Sequence, residues 1–351
     1  MKKILVIIIT VILTFITSSC YDSTEVDDMV YIIAIGIDEA ADNNYEFTFQ
    51  AAVPLNISSG VETSFSSSEK SVSLNNINAF GTDLYSALTT ANKTISKELD
   101  ISHCNFLVFS EKITNSTIEP HIKSVISNSD LRPLTYVAVA RDSAKEYLNN
   151  ISSPFELNPS RYYELFFNKN YSPESFVTHL RDFEKYPVVA LPLIGENEIS
   201  TTILKNFSKI STLSNEETLF LNVLSGRFNS GYFSVSQNLP TLNLSVNKKP
   251  KITVNTKNEY PKISFKLDLY GTPLSVIENK DEFDKKMAEY IQKSCIDLLY
   301  KTSKEFKADV LNTSAYAKKN FLTLHDFEEY EWEKKYQQAE FDVIVNYKTI
   351  R

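Results

Sequence analysis

Cys20 is the residue whose position most clearly indicates chemistry. It ends the segment MKKILVIIITVILTFITSSC, in which Lys2 and Lys3 precede an apolar run and small polar residues precede the cysteine. The apolar run is shorter than the roughly 20 residues of a spanning helix, and its layout is that of a secretory signal. A cysteine after small residues also fits a bacterial lipobox, whose thiol receives a diacylglyceryl group. We therefore predict a lipoprotein signal peptide over residues 1–19 and lipidation of Cys20.

Lipidation would anchor the exported protein to the extracytoplasmic face of a membrane. Two acyl chains bury enough CH₂ groups, at about 0.8 kcal/mol each, to give a stable anchor. The formal net charge is −8, which opposes binding to nucleic acid and docking to anionic lipid. The alternative is an ordinary signal peptide that happens to precede a cysteine, since Thr17 stands where lipoboxes usually carry an aliphatic residue.

Histidines and cysteines elsewhere offer little for catalysis. The chain has 4 histidines, none in a metal-binding spacing: His103, His121, His179 and His325. His103 and Cys104 are adjacent, and neighbours on a strand point to opposite faces, so we expect no dyad. No G-x-S-x-G nucleophile motif and no G-x-G loop occurs among the 7 glycines. These patterns predict no metal, no cofactor and no nucleotide chemistry.

A cluster of carboxylates surrounds the single tryptophan near the C-terminus. Glu328, Glu329, Glu331 and Glu333 flank Trp332, and helical spacing places Glu329 and Glu333 on one face. Paired carboxylates beside an aromatic ring are the groups that hydrolyse glycosides. The simpler interpretation is a solvated helix face with a buried Trp332, because charge runs on helices are normally solvated.

Composition and length predict a multi-domain globular protein. Of 351 residues, 42% are hydrophobic and 23% charged, which is typical of folded chains. Removal of residues 1–19 leaves enough chain for two or three domains. Cys104 and Cys295 both lie in apolar patterns, so we expect buried free thiols, although a single disulfide stays open.

The first part of the chain alternates strands and helices, which predicts an α/β layer domain over residues 20–195. VYIIAIGID and YEFTFQAAV predict a hairpin, and a Ser-rich mobile loop is expected near 58–73. Helical spacing from Ile77 to Ile95 predicts a helix capped by Asn75 or Asn76. NFLVFS and LTYVAVA predict strands, with a helix around 118–125 between them and one capped by Asp142 after them. A helix is expected at Pro173, and residues 186–195 are expected to form a linker strand.

The helix and strand patterns of the remaining chain, residues 196–351, predict an α+β domain. Ser214 and Glu217 have the spacing of a capping box for a helix that Gly226 ends. GYFSVS, TLNLSV, PKITVNT and PKISFKLDLYG predict an antiparallel sheet. An apolar stripe predicts a long helix over residues 281–304, a second helical stretch spans 321–336, and FDVIVNYKTI predicts a final strand. The overall prediction is a multi-domain α+β fold with mixed or antiparallel sheets and flanking helices.

Several segments in order resemble the Ger(x)C family, the lipoprotein C subunits of spore nutrient germinant receptors. The resemblance begins with Cys20-Tyr21-Asp22, Glu25-Val26 and Gly36-Ile37-Asp38. It continues through HCNFLVFSEKI and LRPLTYVAVARDSAKEYL to Trp332 and FDVIVNY. Two segments depart from the family pattern: ADVLNTSAYAKKNF replaces a Gly-containing turn, and the customary final Gly is absent after Arg351.

The resemblance implies a three-domain α+β fold, no known catalysis and no cofactor. It also implies assembly with A- and B-type membrane subunits at the inner spore membrane and a role in nutrient-triggered germination. Two other classes stay open: a solute-binding lipoprotein of a transporter, and a cell-wall hydrolase using Glu329 or Glu333. Whether the chain contacts a nutrient is not decided by its sequence.

Overall fold

A computed structural model describes most of the chain. The described residues are 28–41, 44–51, 75–127, 130–151, 159–167, 173, 175–181, 187–195, 198–234 and 240–350. The predicted signal peptide, Cys20 and the Ser-rich stretch at 58–73 lie outside them.

The larger of two sheets has nine strands, in the order β3-β2-β1-β5-β6-β7-β8-β9 with β4 beside β1. Its centre, β1, β5, β6 and β7, is parallel, and both flanks are antiparallel. The strands are β1 (Met29–Glu39), β2 (Tyr45–Ala51), β3 (Asn75–Gly81), β4 (Glu98–Asp100), β5 (Phe106–Ser110), β6 (Tyr136–Ala140), β7 (Val188–Ile194), β8 (Ile199–Lys205) and β9 (Ser208–Leu213). The predicted hairpin of β1 and β2 is confirmed.

Helices cover both faces of this sheet, which explains why its central strands are continuous apolar runs. Along β1, Ile35 and Ile37 face one core, and Ile33 faces the other. The helices are α1 (Leu84–Asn92), α2 (Glu111–Ser116), α3 (Glu119–Ser127), α4 (Ala144–Asn150), α5 (Pro159–Phe167) and α6 (Val177–Arg181). Helices α1, α3 and α6 contribute to the first core, and α4 and α5 to the second.

The prediction of a helix beginning at Asn75 or Asn76 is wrong. Residues 75–81 form β3, which pairs antiparallel with β2, and the helix begins only at Leu84. Asp83 caps it, accepting from the Ser86 backbone N–H at 2.9 Å in a reciprocal capping box. Phe80 is 57% exposed, so it does not belong to an inward-facing helical stripe. The apolar residues of β3 and α1 together happen to have helical spacing, which led to the prediction of a single helix.

Three further expectations in this region need correction. Ser143, not Asp142, is the N-cap of α4, because its hydroxyl accepts from the Glu146 backbone N–H. Pro173 precedes α6 without starting it; the helix that begins with proline is α5, at Pro159. β7 is not a linker, because it pairs with β6 on one side and β8 on the other. The sheet therefore continues past residue 195, and the predicted domain boundary stays a prediction.

The smaller sheet has four strands in the order β10-β11-β12-β13. They are β10 (Ser230–Phe233), β11 (Leu242–Asn255), β12 (Lys262–Pro273) and β13 (Glu340–Thr349). The antiparallel prediction is confirmed for the first three, whereas β13 runs parallel to β12. TLNLSV and PKITVNT, predicted as separate strands, form the single irregular strand β11.

Helices of the second part pack on this sheet. They are α7 (Asn215–Ser225), α8 (Lys280–Tyr300) with a π-helical turn at Lys301–Glu305, α9 (Ser314–Ala317) with a 3₁₀ turn at Lys318–Asn320, α10 (Leu324–Glu329) and α11 (Trp332–Tyr336). The predicted capping box of Ser214 and Glu217 and the left-handed Gly226 C-cap are confirmed. The apolar stripe of α8 is buried, and the long-helix prediction is confirmed. The core of the smaller sheet extends through α7 to Ile203 and Leu213 of the larger sheet.

The last strand is fitted closely to its neighbour. The Tyr347 hydroxyl occupies the place that a Cβ on Gly271 would fill. A side chain on residue 271 would therefore have to displace the Tyr347 ring, while the position of β13 is set by its ten-residue pairing with β12.

Candidate functional site

The residues that the sequence singled out for catalysis do not come together. His103 is exposed in the turn before β5; its ring packs edge-on against Tyr31, and Nδ1 lies 3.0 Å from the Ser102 hydroxyl. The Cys104 thiol is buried, donates to the Phe106 carbonyl oxygen, and has its pKa raised to about 12 by desolvation. A thiol in that state is a poor nucleophile. The two residues precede β5 and do not lie on a strand as predicted; His103 is exposed and Cys104 is buried.

The glutamates near Trp332 are also separated. Glu329 ends α10 and Glu333 lies in α11, and between them Glu331 adopts a left-handed φ of 54°. The prediction that Glu329 and Glu333 share a helical face is wrong, because this residue interrupts the helix. Glu329 instead pairs with His325 at 3.3 Å. Trp332 is 6% exposed, which confirms the simpler interpretation of a buried ring.

Metal and membrane-spanning features are absent from the part of the chain that the structure describes. No group of three or more His, Cys, Asp or Glu residues in that part is placed to hold a metal ion. No helix there is long and apolar enough to cross a bilayer. Cys104 and Cys295 are both buried free thiols, as predicted.

Among the openings that the described residues form, two lie between the larger sheet and the second part of the chain. The wider opening, which we call the acidic cleft, has a volume of about 990 Å³. It lies at the carboxyl ends of β6 and β7, the edge at which open α/β sheets bind ligands. Helix α7 and β10 form its opposite wall.

The charges of the acidic cleft are mostly negative. Asp142, Glu146, Glu198 and Glu216 line it, and Arg141 is the one Lys or Arg among its described lining residues. Arg141 is paired with Glu198 at 2.7 Å across the ends of two strands, and both side chains are nearly half exposed. Aliphatic and aromatic side chains supply the apolar surface, including Tyr232, which is 68% exposed.

The second opening, which we call the basic cavity, is smaller, with a volume of about 370 Å³. One wall is the start of β7 and the end of β8; the other is the chain from Lys307 to Tyr336. Four cationic side chains line it: Lys205, Arg227, Lys307 and Lys318. Phe327, Trp332 and Tyr336 provide aromatic surface.

Asp309 organises the basic cavity. Its Oδ1 accepts from the backbone N–H and hydroxyl of Thr313, at 2.9 and 3.0 Å. Its Oδ2 accepts from the Ser314 backbone N–H at 2.8 Å and the Trp332 indole N–H at 3.0 Å. Desolvation by the surrounding protein raises its pKa, and the four donors act against that rise. A carboxylate offers about four lone-pair sites, so Asp309 is saturated and serves to join the loop to Trp332.

The loop that carries Asp309 is unusual in backbone geometry. It follows the π-helical turn, and two non-glycine residues in it, Lys307 and Asn312, have left-handed φ values of 51° and 50°. Such residues cost roughly 1–3 kcal/mol each and persist where surrounding contacts impose them. This segment departs from the family pattern, and the role of Asp309 was not predicted from the sequence. The available signal was the spacing: Asp309 lies four residues before Thr313 and five before Ser314, where a short helix begins.

Most of the chain matches known protein families. A family described as Spore germination protein N-terminal domain matches residues 22–186, and one described as Spore germination B3/GerAC like, C-terminal, matches residues 200–351. Spore germination protein KC of Bacillus subtilis (strain 168) is 28% identical over 163 residues, which cover 45% of this chain and 39% of that protein. The matched stretch thus spans about two-fifths of that relative's length.

The fold also has a relative of known structure. The crystal structure of the GerBC protein superposes with a TM-score of 0.59, covering 90% of this chain and 97% of that chain at 14% sequence identity. The two family matches together span nearly all of the chain after Tyr21, in the order N-terminal then C-terminal. The chain therefore belongs to the Ger(x)C family of spore germination proteins.

Proposed function

We propose that this protein is the lipid-anchored C subunit of a spore nutrient germinant receptor, acting without catalysis. The observation that carries the proposal is the position of the family match: it begins at residue 22, two residues after the predicted lipidation site. An anchor at Cys20 would tether both sheets to the inner spore membrane on its extracytoplasmic face. There the subunit would assemble with A- and B-type membrane subunits and support nutrient-triggered germination.

The two alternative classes receive less support. Solute-binding lipoproteins usually have two doubly wound lobes, whereas here a nine-stranded sheet is followed by a four-stranded one with three antiparallel strands. For a hydrolase using Glu329 or Glu333, the pairing of the two carboxylates on one helical face is missing, because the left-handed Glu331 separates their helices.

The anchor is tested by Cys20→Ala in the native spore-forming host. We expect the variant to leave the membrane fraction, because the attachment depends on acyl chains and not on the acidic surface. Cys104→Ala is the matched control; its thiol is buried, so it should stay membrane-bound. Fractionation with immunoblotting measures both.

The subunit role is tested by deletion and co-purification. After other germinant receptors are removed, spores lacking this chain should fail to germinate with the receptor's nutrients. Membrane subunits should co-purify with the wild-type chain from detergent-solubilised spores. Normal germination together with the absence of any membrane partner would refute the proposal.

A further inference from the structure

Strand β13 leaves one edge of the smaller sheet open. It pairs with β12 over 10 residues without a bulge, and no strand lies on its other side among the described residues. A long regular edge is a template for another strand, so natural sheets usually shorten, bend or charge their edge strands. The opposite edge strand, β10, has only 4 residues. The centre of β13, Val343-Ile344-Val345, is uncharged, and Ile344 is 49% exposed, so this edge lacks the usual protection.

The backbone groups on the open edge are available for pairing. Successive N–H groups of a strand point to opposite sides, and in β13 the even-numbered residues face β12. The N–H groups of Glu340 and Ile350 donate to carbonyl oxygens of that neighbouring chain segment, at 3.0 and 2.9 Å. At the end of the strand, the outward N–H of Thr349 donates to the Asp284 carboxylate at 3.0 Å. The outward N–H groups before it have no partner in the part of the chain that the structure describes: Phe341, Val343, Val345 and Tyr347.

Residues at equal distances from Ile344 match one another in chemistry. On one side of the sheet they are acid with base and carboxylate with amide; on the other they are valine with valine and aromatic with aromatic. The pairs are Glu340 with Lys348, Asp342 with Asn346, Val343 with Val345, and Phe341 with Tyr347. Opposite charges, aromatic pairs and apolar pairs are the cross-strand neighbours that stabilise antiparallel sheets. β13 is therefore complementary to a second β13 that runs in the opposite direction.

The register centred on Ile344 also satisfies the backbone. Two copies that place Ile344 opposite Ile344 bring odd-numbered residues opposite odd-numbered residues, so the free N–H and C=O groups meet. Val343 then forms a hydrogen-bonded pair with Val345, and the even-numbered residues form the closer, non-hydrogen-bonded pairs. A shift of one residue would oppose free groups to groups already bonded to β12. A shift of two would place Ile344 opposite a polar residue.

We propose that β13 pairs with β13 of a second copy of this chain about a twofold axis at Ile344, which joins two four-stranded sheets into one. A symmetric contact of this kind uses the same strand on both copies, so it covers both open edges and ends at a dimer. The match about Ile344 favours a second copy over a strand of unrelated sequence. The dimer goes beyond the receptor-subunit role proposed above and requires only the fold of the second part of the chain.

A cysteine at the axis tests the pairing directly. In a non-hydrogen-bonded antiparallel pair, opposite Cα atoms are about 4.5 Å apart, which is within the range of a disulfide. Full-length Ile344→Cys protein in detergent, oxidised with copper phenanthroline, should therefore form a covalent dimer on non-reducing gel electrophoresis. Dithiothreitol should return it to the monomer. Wild-type protein gives the background, and its Cys104 and Cys295 are buried.

Lys266→Cys is the matched control. Lys266 is exposed and lies beside Ile344 on β12, one strand farther from the axis. Strands in a sheet are about 4.8 Å apart, so two cysteines at this position would be roughly 14 Å apart in the dimer. That distance is too long for a disulfide, and the variant should cross-link no more than wild type.

Reversal of the end charges tests the register. In the Ile344→Cys background, Glu340→Lys or Lys348→Glu alone would oppose like charges in both symmetry-related pairs. Each single reversal should slow the initial rate of cross-linking roughly fivefold, and the two reversals together should restore it. Lys251→Glu changes the charge of an exposed residue on β11, two strands from the axis, and should alter the rate less than about twofold. All these positions are exposed, so the thermal unfolding midpoint checks that each variant is folded.

Three results would overturn the proposal. The first is a folded Ile344→Cys variant that cross-links no faster than Lys266→Cys. The second is a cross-link from Ile344→Cys to a different protein in spore membranes, which would assign the edge to a foreign strand. The third is a double charge reversal that cross-links as slowly as the single reversals, because the register centred on Ile344 requires rescue.

Discussion

The acidic cleft and the basic cavity both lie between the larger sheet and the second part of the chain, yet they differ in size, charge and construction. The acidic cleft is about 990 Å³, open, and bordered by strand ends with an exposed ion pair. The basic cavity is about 370 Å³ and is built around a saturated carboxylate and a buried indole. Asp309 and Trp332 of the cavity are held by several contacts each, whereas the Arg141–Glu198 pair of the cleft is nearly half exposed. Substitutions should therefore have unequal effects in the two places.

The largest difference in stability should appear when one aromatic ring is removed from each of the two openings. Trp332→Ala should destabilise the protein by about 3–5 kcal/mol, the usual cost of deleting a buried Trp or Phe side chain. Tyr232→Ala, in the acidic cleft, should change stability by no more than about 0.5 kcal/mol, because its ring is 68% exposed. Urea unfolding followed by far-UV circular dichroism measures both. Equal losses would contradict the contrast.

Low pH should destabilise the larger sheet selectively, because His121 lies in the core beneath that sheet. Its ring is 1% exposed, packs against Tyr45, Phe47 and Phe109, and has no hydrogen-bond partner among the described residues. Burial lowers its pKa to about 4 from the usual 6.5, with Asp83 acting against the shift.

The sign of the pH effect follows from this depressed pKa. Below pH 6.5 the His121 ring binds a proton in the unfolded chain and stays neutral in the folded chain. The free energy of unfolding therefore falls as pH drops from 6.5 to about 4. The loss should reach at most about 3 kcal/mol, and hydrogen exchange should place it in the larger sheet. His121→Phe should flatten the profile, and His325→Gln, whose ring is exposed, should not. An unchanged slope in His121→Phe would assign the acid sensitivity elsewhere.

A smaller contrast concerns one carboxylate in each opening: Asp309 in the basic cavity and Glu198 in the acidic cleft. Asp309→Asn should cost about 2 kcal/mol, because the new amide N–H₂ faces two N–H or O–H donors in place of an acceptor. Glu198→Gln, which breaks the exposed pair with Arg141, should cost less than about 1 kcal/mol. Thermal unfolding of the two isosteric variants gives the comparison. A Glu198→Gln loss equal to that of Asp309→Asn would show that the cleft is as constrained as the cavity.

Local patterns in the sequence were sufficient for several elements. The apolar runs at β5, β6 and β13 and the Ser214 capping box were predicted where the structure has them. These signals are contained within a few residues, so tertiary structure did not override them. The error at β3 arose because Ile77 packs on the core while Phe80 is exposed, and helical spacing alone does not reveal which side chain is buried.

Neither opening was predictable, because each depends on contacts between distant segments. Lys205 and Lys307 are 102 residues apart in sequence and meet only through the packing of β8 against the loop after α8. Arg141 and Glu198 meet because β7, interpreted from its sequence as a linker, is a central strand beside β6. A single sequence carries no signal for such pairings. The buried state of Trp332 was predicted, but its bond to Asp309 was not.

The smaller sheet is complete only when β13 has paired with β12. β13 spans the last 10 residues of the described chain before Ile350, and it packs on α8 as well as on β12. Without β13, the β12 edge would be open and the apolar stripe of α8 would lack part of its cover. Truncation before Glu340 would therefore act as a core deletion, and the shortened chain should be a substrate for proteolysis.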